Sequence, residues 1–376
     1  MNPDLPLVLI FRTTLLPNSE TFIFKQALAL RGYSPLFLSN NVEPRGALDA
    51  DLLLNYSNHL VAKLENDALR LRLPTPFLDR VIRRLKPALI HAHFGPEGLR
   101  ASWLASRLGL PLIVTIHGSD VTVSPEWATK HGQRAYFAHL PRLFDQADRF
   151  VAVSHFIRER MLTLGFPEKK ITTHYIGAHI DPMEEVDFLR PDPIALFVGR
   201  FVEVKNPLGA IRAVSEAVTR MGHGRLVMVG DGEQLAEARA LAEKLLPGTK
   251  FLGRVDPRTV RNYMAKARLL VLPSVVHHSG AEEGLPTVCT EAMAAGLPII
   301  AYDTGGVSEA VTDAAGSLLK VGDEAALASE IANYFGDARA SARRGRAART
   351  RATELFNLEI QTSRLEDIYS SVIRQS

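Results

Sequence analysis

Two doubly wound, Rossmann-like α/β domains are the architecture this sequence predicts, and three observations predict it. The chain has 376 residues, too many for one compact core and enough for two of ordinary size. Short, uniformly apolar runs alternate with longer helical patterns, the signature of a parallel sheet with crossover helices. The alternation occurs twice, with a single interruption. Composition is that of a globular protein, 46% hydrophobic and 23% charged.

The first series of strands reads LPLVLIF, SPLFLS, PALIHA, PLIVTI and RFVAVS, and the second PIALFVG, GRLVMVG, TKFLG, ARLLVLP and LPIIAY. Apolar runs of this length suit strands covered by helices on both faces. Between the series stands HIDPMEEVDFLRPDPIA, whose three prolines and five acids read as a linker. It divides the chain into domains at 1–185 and 186–357. Beyond Gly322 the pattern is helical, and ARASARRGRAARTRATELF reads as a solvated, Arg-rich helix face. A last helix, from about Leu358 to Ile373, has no strand to pair with and is expected to pack back, with the rest of 358–376, on the first domain.

Charge and cysteine content bound the function. The formal net charge is +3; 21 Lys/Arg face 18 Asp/Glu up to Glu185, and 23 face 23 beyond it. That is a weak pull toward an anionic acceptor or membrane surface, and too weak to point to nucleic acid. The one cysteine, Cys289, excludes an internal disulfide and suits a reducing compartment. The start MNPDLPLVLIF does not read as a signal peptide, and no apolar run approaches the ~20 residues of a membrane span. A cytoplasmic protein is expected, with contact at the inner face of the membrane left open.

The most informative segment is SGAEEGLPTVCTEAMAAGLPIIAY. A helix should begin near Leu285, with Pro286 in its first turn and Gly296 and Pro298 closing it. Glu291 then lies roughly 7–9 Å along the axis, while Glu283 stays outside the N-terminus. The amides of Gly284, Leu285 and Thr287 between them suit a diphosphate, since a helix N-terminus favours negative charge. The flanking carboxylates suit sugar hydroxyls, Glu283 those of a hexose and Glu291 those of a ribose. Upstream, PIALFVG runs into Gly199 and Arg200, followed by Lys205-Asn206-Pro207. Ligands of open parallel sheets bind at the carboxyl ends of strands, and two cations there can neutralise a leaving diphosphate without a metal. LVMVG ends in Gly230-Asp231-Gly232, which is equally a plain βα turn or a backbone approach to a ligand. Asp303-Thr304-Gly305-Gly306 follows PIIAY at the corresponding position. His277 and His278 in HHSGAEE could pose as a metal cluster, but adjacent side chains should diverge, and no metal is expected.

In the first half, LIVTI ends at His117-Gly118-Ser119-Asp120, which places His117 at the carboxyl end of a strand. PALIHA leads into His91-Ala92-His93-Phe94-Gly95. The two histidines share a strand face, so a metal is conceivable, but with no third ligand nearby they read as a polar wall. After the first strand, RTTLLPNSETFIF has no glycine; Asn18 or Ser19 can cap the next helix, leaving Ser19, Glu20 and Thr21 on the acceptor side with His93.

Taken together, GRFVEVK, GDG, FLG, LPS, EEGLPTVCTEAMAAGLP and TGGVSE resemble glycosyltransferase family 4 in order and spacing. The resemblance covers the whole second half. PNSETFI, HAHFG, VSHFI and EGLPTV resemble the subset that builds bacterial exopolysaccharides, including colanic-acid-type enzymes. The family implies a GT-B fold, with two Rossmann-like domains facing a central cleft. It implies a metal-independent hexosyltransferase that retains anomeric configuration, using a nucleoside-diphosphate sugar and a saccharide or polyprenyl-linked acceptor. By that resemblance Arg200 and Lys205 bind the diphosphate, Glu283 the donor sugar and Glu291 the ribose. Gly305, Gly306 and Glu309 fall in the last donor-side loop, and His117 contacts the donor hexose. One departure is the missing glycine pair after the first strand. Rival readings are a nucleotide-sugar epimerase of the same fold, or a non-catalytic nucleotide-sugar-binding protein. An NAD enzyme would need a G-x-G-x-x-G turn, and neither series of strands offers one.

Overall fold

The computed structural model describes residues 4–15, 20–39, 41–42, 53–54, 64–65, 67–69, 71, 73–131, 134–181, 188–190 and 192–375. The chain forms two units, Met1–Gly177 with Leu358–Ser376, and Ala178–Asn357. The first boundary falls earlier than the acidic, proline-rich run that reads as a linker. Ala178 is already part of the second unit, because its N–H donates to the Phe356 carbonyl at 2.6 Å and it bridges to Asn357. Residues 182–187 and 191 of the linker lie outside the described residues.

In the first unit the strands are β1 (Leu7–Phe11), β2 (Thr14–Leu15), β3 (Ser34–Leu38), β4 (Asn41–Val42), β5 (Leu53–Leu54), β6 (Leu89–His93), β7 (Leu112–Ile116), β8 (Arg149–Ala152) and β9 (Ile171–Thr173). Seven of them form one parallel sheet in the order β5-β3-β1-β6-β7-β8-β9, and β2 pairs with β4 apart from it. Leu9, Ile90, Val114 and Phe150 are fully buried in one core; Val8, Ile10, Leu89, Ile113 and Val151 belong to a second. Alternate residues of a strand point to opposite faces, so both faces of this sheet are covered.

The helix Leu358–Ile373 completes the second of those cores, with Leu365, Tyr369 and Val372 buried beside Val8, Ile10 and Phe37. Tyr369 Oη lies 2.7 Å from His91 Nδ1, the Gln361 carbonyl 2.7 Å from His174 Nε2, and Glu366 accepts the N–H groups of Arg31 and Gly32 at 2.6 and 2.7 Å.

The second unit holds β10 (Ile194–Val198), β11 (Arg225–Val229), β12 (Lys250–Phe251), β13 (Leu269–Leu272), β14 (Ile299–Tyr302) and β15 (Gly316–Leu319), all parallel in the order β12-β11-β10-β13-β14-β15. The Arg-rich helix Ala338–Leu355 is not uniformly solvated. Arg349 is 1% exposed and donates to the Asp181 carbonyl. Arg351 donates to the carbonyls of Glu309 and Ala310 at 2.7 and 2.9 Å, and Arg344 pairs with Glu330 at 2.9 Å. Arg339, Arg343 and Arg346 are exposed. Half of that charge is therefore structural.

Both sheets reverse direction once. The chain steps from β1 outward to β3 and β5, then returns to place β6 on the other side of β1; it does the same from β10 through β12 to β13. Loops that leave the two strands flanking such a reversal diverge above and below the sheet, which opens a crevice at their carboxyl ends. Among the described residues no helix is long and apolar enough to cross a membrane.

Candidate active site

In the second unit the reversal lies between β10 and β13, and the loops beyond them meet. Lys205 closes a 3-10 turn, Glu203–Lys205, after β10. Asn206, at φ 50°, breaks that turn and caps the helix Pro207–Met221 by accepting from Gly209 N–H at 3.0 Å. From the β13 side come Ser274 and Glu283. Lys205 Nζ forms an ion pair with Glu283 Oε1, and Ser274 Oγ donates to the same oxygen at 3.1 Å. The two charged side chains are 15% and 12% exposed, so the pair is shielded but reachable.

The glycines of this edge are fixed by backbone packing. Gly230, at φ 131°, lies so near the Gly199 carbonyl that a Cβ would collide with it. Gly232, at φ 156°, meets the Phe201 carbonyl in the same way. Gly199 N–H donates to Val229 at 3.0 Å, and Gly230 N–H to Gly253 at 2.9 Å. Gly305, at φ 55°, would drive a Cβ into the Glu283 carbonyl, which accepts Gly306 N–H at 3.1 Å. The last loop is thus a clamp on the backbone of Glu283. Of the two readings open for Gly230 and Gly232, loop-on-loop packing already accounts for both.

The helix that should begin near Leu285 begins at Thr287 and runs to Ala294. Pro286 is its N-cap, at ψ 122° outside the helical region, and the residue before a proline is disfavoured in a helix, so the helix cannot start at Leu285. Glu291 is therefore four residues into the helix, about 6 Å along its axis. Gly296, at φ 64°, ends it, with Leu297 N–H reaching back to the Ala292 carbonyl at 2.9 Å. Arg190 then covers the exposed end, donating to the carbonyls of Ala295 and Gly296 at 2.6 and 2.7 Å. Cys289 is buried, and burial pushes its thiol up to about 12, which makes it a packing residue. Arg200 is exposed, directly after Gly199.

In the first unit the reversal lies between β1 and β6, and charged groups again span it. Arg12 donates to Glu20 at 2.6 and 3.2 Å and to Glu97 at 3.1 Å, with its guanidinium 4.5 Å from the Phe94 ring centre. Arg100 holds Glu97 at 2.8 Å and Thr13 Oγ1 at 2.9 Å, while Thr13 Oγ1 donates to Glu97. Burial alone would lower the Arg12 guanidinium, but Glu20 and Glu97 hold it above its ordinary value. Glu20, expected on the acceptor side, thus spends both carboxylate oxygens on Arg12 and is 6% exposed. Thr21 opens the helix Thr21–Leu28, with Glu20 at its N-cap; Asn18 and Ser19 lie outside the described residues.

His117 stands at the end of β7, 3.1 Å through Nε2 from His93 Nδ1, between the rings of Phe22 and Phe94 at 5.0 and 4.5 Å. Its place is set by Asp120, a residue the sequence reading gave no role. The Asp120 carboxylate accepts the N–H groups of Gly118, Gly95 and His117 at 2.7, 3.0 and 3.3 Å, tying the turn after β7 to the helix Gly95–Leu108. Burial raises its pKa despite those three donors. His91 uses both ring nitrogens, on Tyr369 and on Thr115 Oγ1 at 2.7 Å each, so it is committed to the protein.

Burial above all, with Arg12 adding to it at His93 and His117, pushes His91 and His117 down to about 3 and lowers His93 well below its ordinary value. All three are neutral across the physiological range. An unfolded histidine takes up a proton near pH 6.5, whereas these do not until far lower, so the folded state loses stability as pH falls through that window. Stability should therefore decline as the pH drops below about 6. Urea midpoints measured from pH 7 to pH 5 should fall accordingly, and a flat profile would contradict neutral burial.

Glu203, His277 and His278 also come together at the β10–β13 reversal, each offering a ligand atom within 4.8 Å of the others. The adjacent histidine rings do not diverge; their centres are 3.8 Å apart at 42°.

Residues 183–351 match the family described as glycosyl transferases group 1, and residues 23–181 that described as Glycosyltransferase Family 4. The chain is 34% identical over 266 residues to TuaC of Bacillus subtilis (strain 168), provisionally named a teichuronic acid biosynthesis glycosyltransferase, covering 67% of this chain and 62% of TuaC. It is 28% identical over 246 residues to the amylovoran biosynthesis glycosyltransferase AmsK of Erwinia amylovora, covering 63% of this chain and 58% of AmsK. The chain therefore spans about three-fifths of the length of these relatives. Among solved structures, Anabaena HepE in complex with UDP and glucose superposes over 97% of this chain and 100% of its own, with a TM-score of 0.75 at 18% identity, which establishes a shared fold.

Proposed function

The chain belongs to glycosyltransferase family 4, and on that premise we propose that it moves a hexose, with retention, from a nucleoside-diphosphate sugar to a saccharide or polyprenyl-linked acceptor. The relatives named for teichuronic acid and amylovoran biosynthesis support a place in the synthesis of exopolysaccharide or another cell-surface polysaccharide. One observation carries the reading: a shielded Lys205–Glu283 pair spans the sheet reversal, and the loop that carries Lys205 also carries the exposed Arg200.

That pair divides the labour of donor binding. An ammonium has three donors, of which Glu283 takes one, so Lys205 can keep its partner and still reach a phosphate oxygen. The remaining lone pairs of Glu283 suit sugar hydroxyls, and Glu291 on the following helix suits the ribose diol. In the transfer, the bond from the sugar C1 to the diphosphate breaks, and the acceptor oxygen bonds C1 on the same face. The acceptor proton passes to a departing phosphate oxygen. Negative charge grows on the diphosphate, and Arg200 and Lys205 stabilise it without a metal. The family resemblance assigns His117, neutral and anchored through Asp120 and His93, a hydrogen bond to the donor sugar.

Thermal shift with UDP, GDP, ADP, NAD and several nucleotide sugars tests the donor class, with and without chelator. A ligand at 100 times its Kd adds about 2.7 kcal/mol. One nucleoside diphosphate should raise Tm in the presence of chelator; no shift, or a shift with NAD alone, would overturn the reading. His117→Ala should lower kcat more than it weakens nucleotide binding, measured by turnover and calorimetry. The reverse pattern would remove His117 from the reaction centre.

A further inference from the structure

The cluster of Glu203, His277 and His278 has the chemistry of a metal centre. Glu203 opens the turn after β10, and the two histidines follow β13, so ligands from segments 74 residues apart converge. His277 Nε2 stands 3.4 Å from Glu203 Oε2. Tetrahedral zinc, with bonds of about 2.0–2.1 Å, separates its ligands by roughly 3.4 Å. Behind the first histidine, Nδ1 is 2.7 Å from Ser279 Oγ, a hydroxyl that itself accepts Ala281 N–H at 3.3 Å. Ser279 N–H also donates to Nδ1, at 3.2 Å, so binding a metal through Nε2 requires the tautomer in which Nδ1–H donates to Ser279 Oγ instead, the arrangement found behind metal-bound histidines. The backbone is already set: Val275 N–H donates to Val204 at 2.8 Å, and His277 N–H to Ala281 at 3.0 Å.

We propose that Glu203, His277 and His278 bind one divalent transition-metal ion of the zinc and cobalt class, with water completing the coordination. Two imidazoles and one carboxylate suit such ions, whereas magnesium and calcium take oxygen ligands. The ion sits beside the transfer chemistry and takes no part in it, since none of the three ligands is assigned to donor, sugar or acceptor. It ties the turn carrying Lys205 to the loop that leads to Glu283, and so stabilises the second unit. The inference is independent of the donor reading.

The test uses the full chain, free of any histidine tag and stripped with chelator. Cobalt(II) is followed by its visible absorption, and zinc by calorimetry and Tm. The expected result is one equivalent bound with a rise in Tm, binding lost in His278→Ala and weakened at least tenfold in Glu203→Gln. His278 is exposed, so the metal-free His278→Ala protein should melt with the metal-free parent, which separates loss of a ligand from loss of the fold. No stoichiometric binding by the parent, or equal binding by His278→Ala, would overturn the proposal. So would the same Tm rise with magnesium.

Discussion

Lys205→Ala should lower kcat by about 10²–10³-fold, the loss expected when one preorganised donor to a developing oxyanion is removed. Lys205 is held where that donor is needed, by the turn Glu203–Lys205 on one side and Glu283 on the other. Its charge acts mainly on the extra negative charge that grows on the diphosphate as the bond to C1 breaks, so the effect belongs in kcat more than in KM. Ser274 remains bonded to Glu283 in the variant and keeps that carboxylate partnered. Steady-state turnover with the donor identified by thermal shift is the measurement. Turnover near that of the parent would remove Lys205 from the leaving-group role and leave Arg200 alone in it.

The largest expected effect on stability is elsewhere. Arg12→Ala should cost roughly 3 kcal/mol, because it strips the counter-ion from carboxylates that are nearly buried. Glu20 and Glu97 are 6% and 5% exposed, and Glu20 has no other salt bridge among the described residues. Glu97 keeps Arg100 and Thr13, so most of the penalty falls on Glu20. Urea unfolding measures it, and the companion Arg12→Ala/Glu20→Gln should recover much of the loss. A penalty below about 1 kcal/mol would mean that the cluster relaxes into water.

What the sequence could and could not convey follows from the range of each interaction. Gly230, Gly232 and Gly305 were visible because positive φ and backbone contact restrict a position to glycine whatever surrounds it. Lys205 and Glu283 stand out for the same reason, as charges in short motifs at strand ends. Arg12 and Glu97 are 85 residues apart, and only the pairing of β1 with β6 brings them together. Glu203 and His277 depend on β10 pairing with β13. No spacing in a linear sequence reports a parallel register. Short strands were equally silent: β9 is three residues, and β15 starts at Gly316, where a Cβ would strike the Ile299 carbonyl. Arg349 shows the opposite failure, a charge in a run of charges that is nevertheless buried.

The return of the last helix to the first unit has a consequence for biosynthesis. A chain is made from its N-terminus, and Ala178–Asn357 must be polymerised before Leu358 exists. At roughly 5–20 residues per second, those 180 residues take on the order of 10–40 s. Throughout that interval Val8, Ile10, Tyr33 and Phe37 lack Leu365, Tyr369 and Val372, and His91 lacks the hydroxyl that meets its Nδ1. The nascent first unit waits with an apolar face uncovered, a target for chaperones, while the second unit, contiguous in the chain, can finish folding before it.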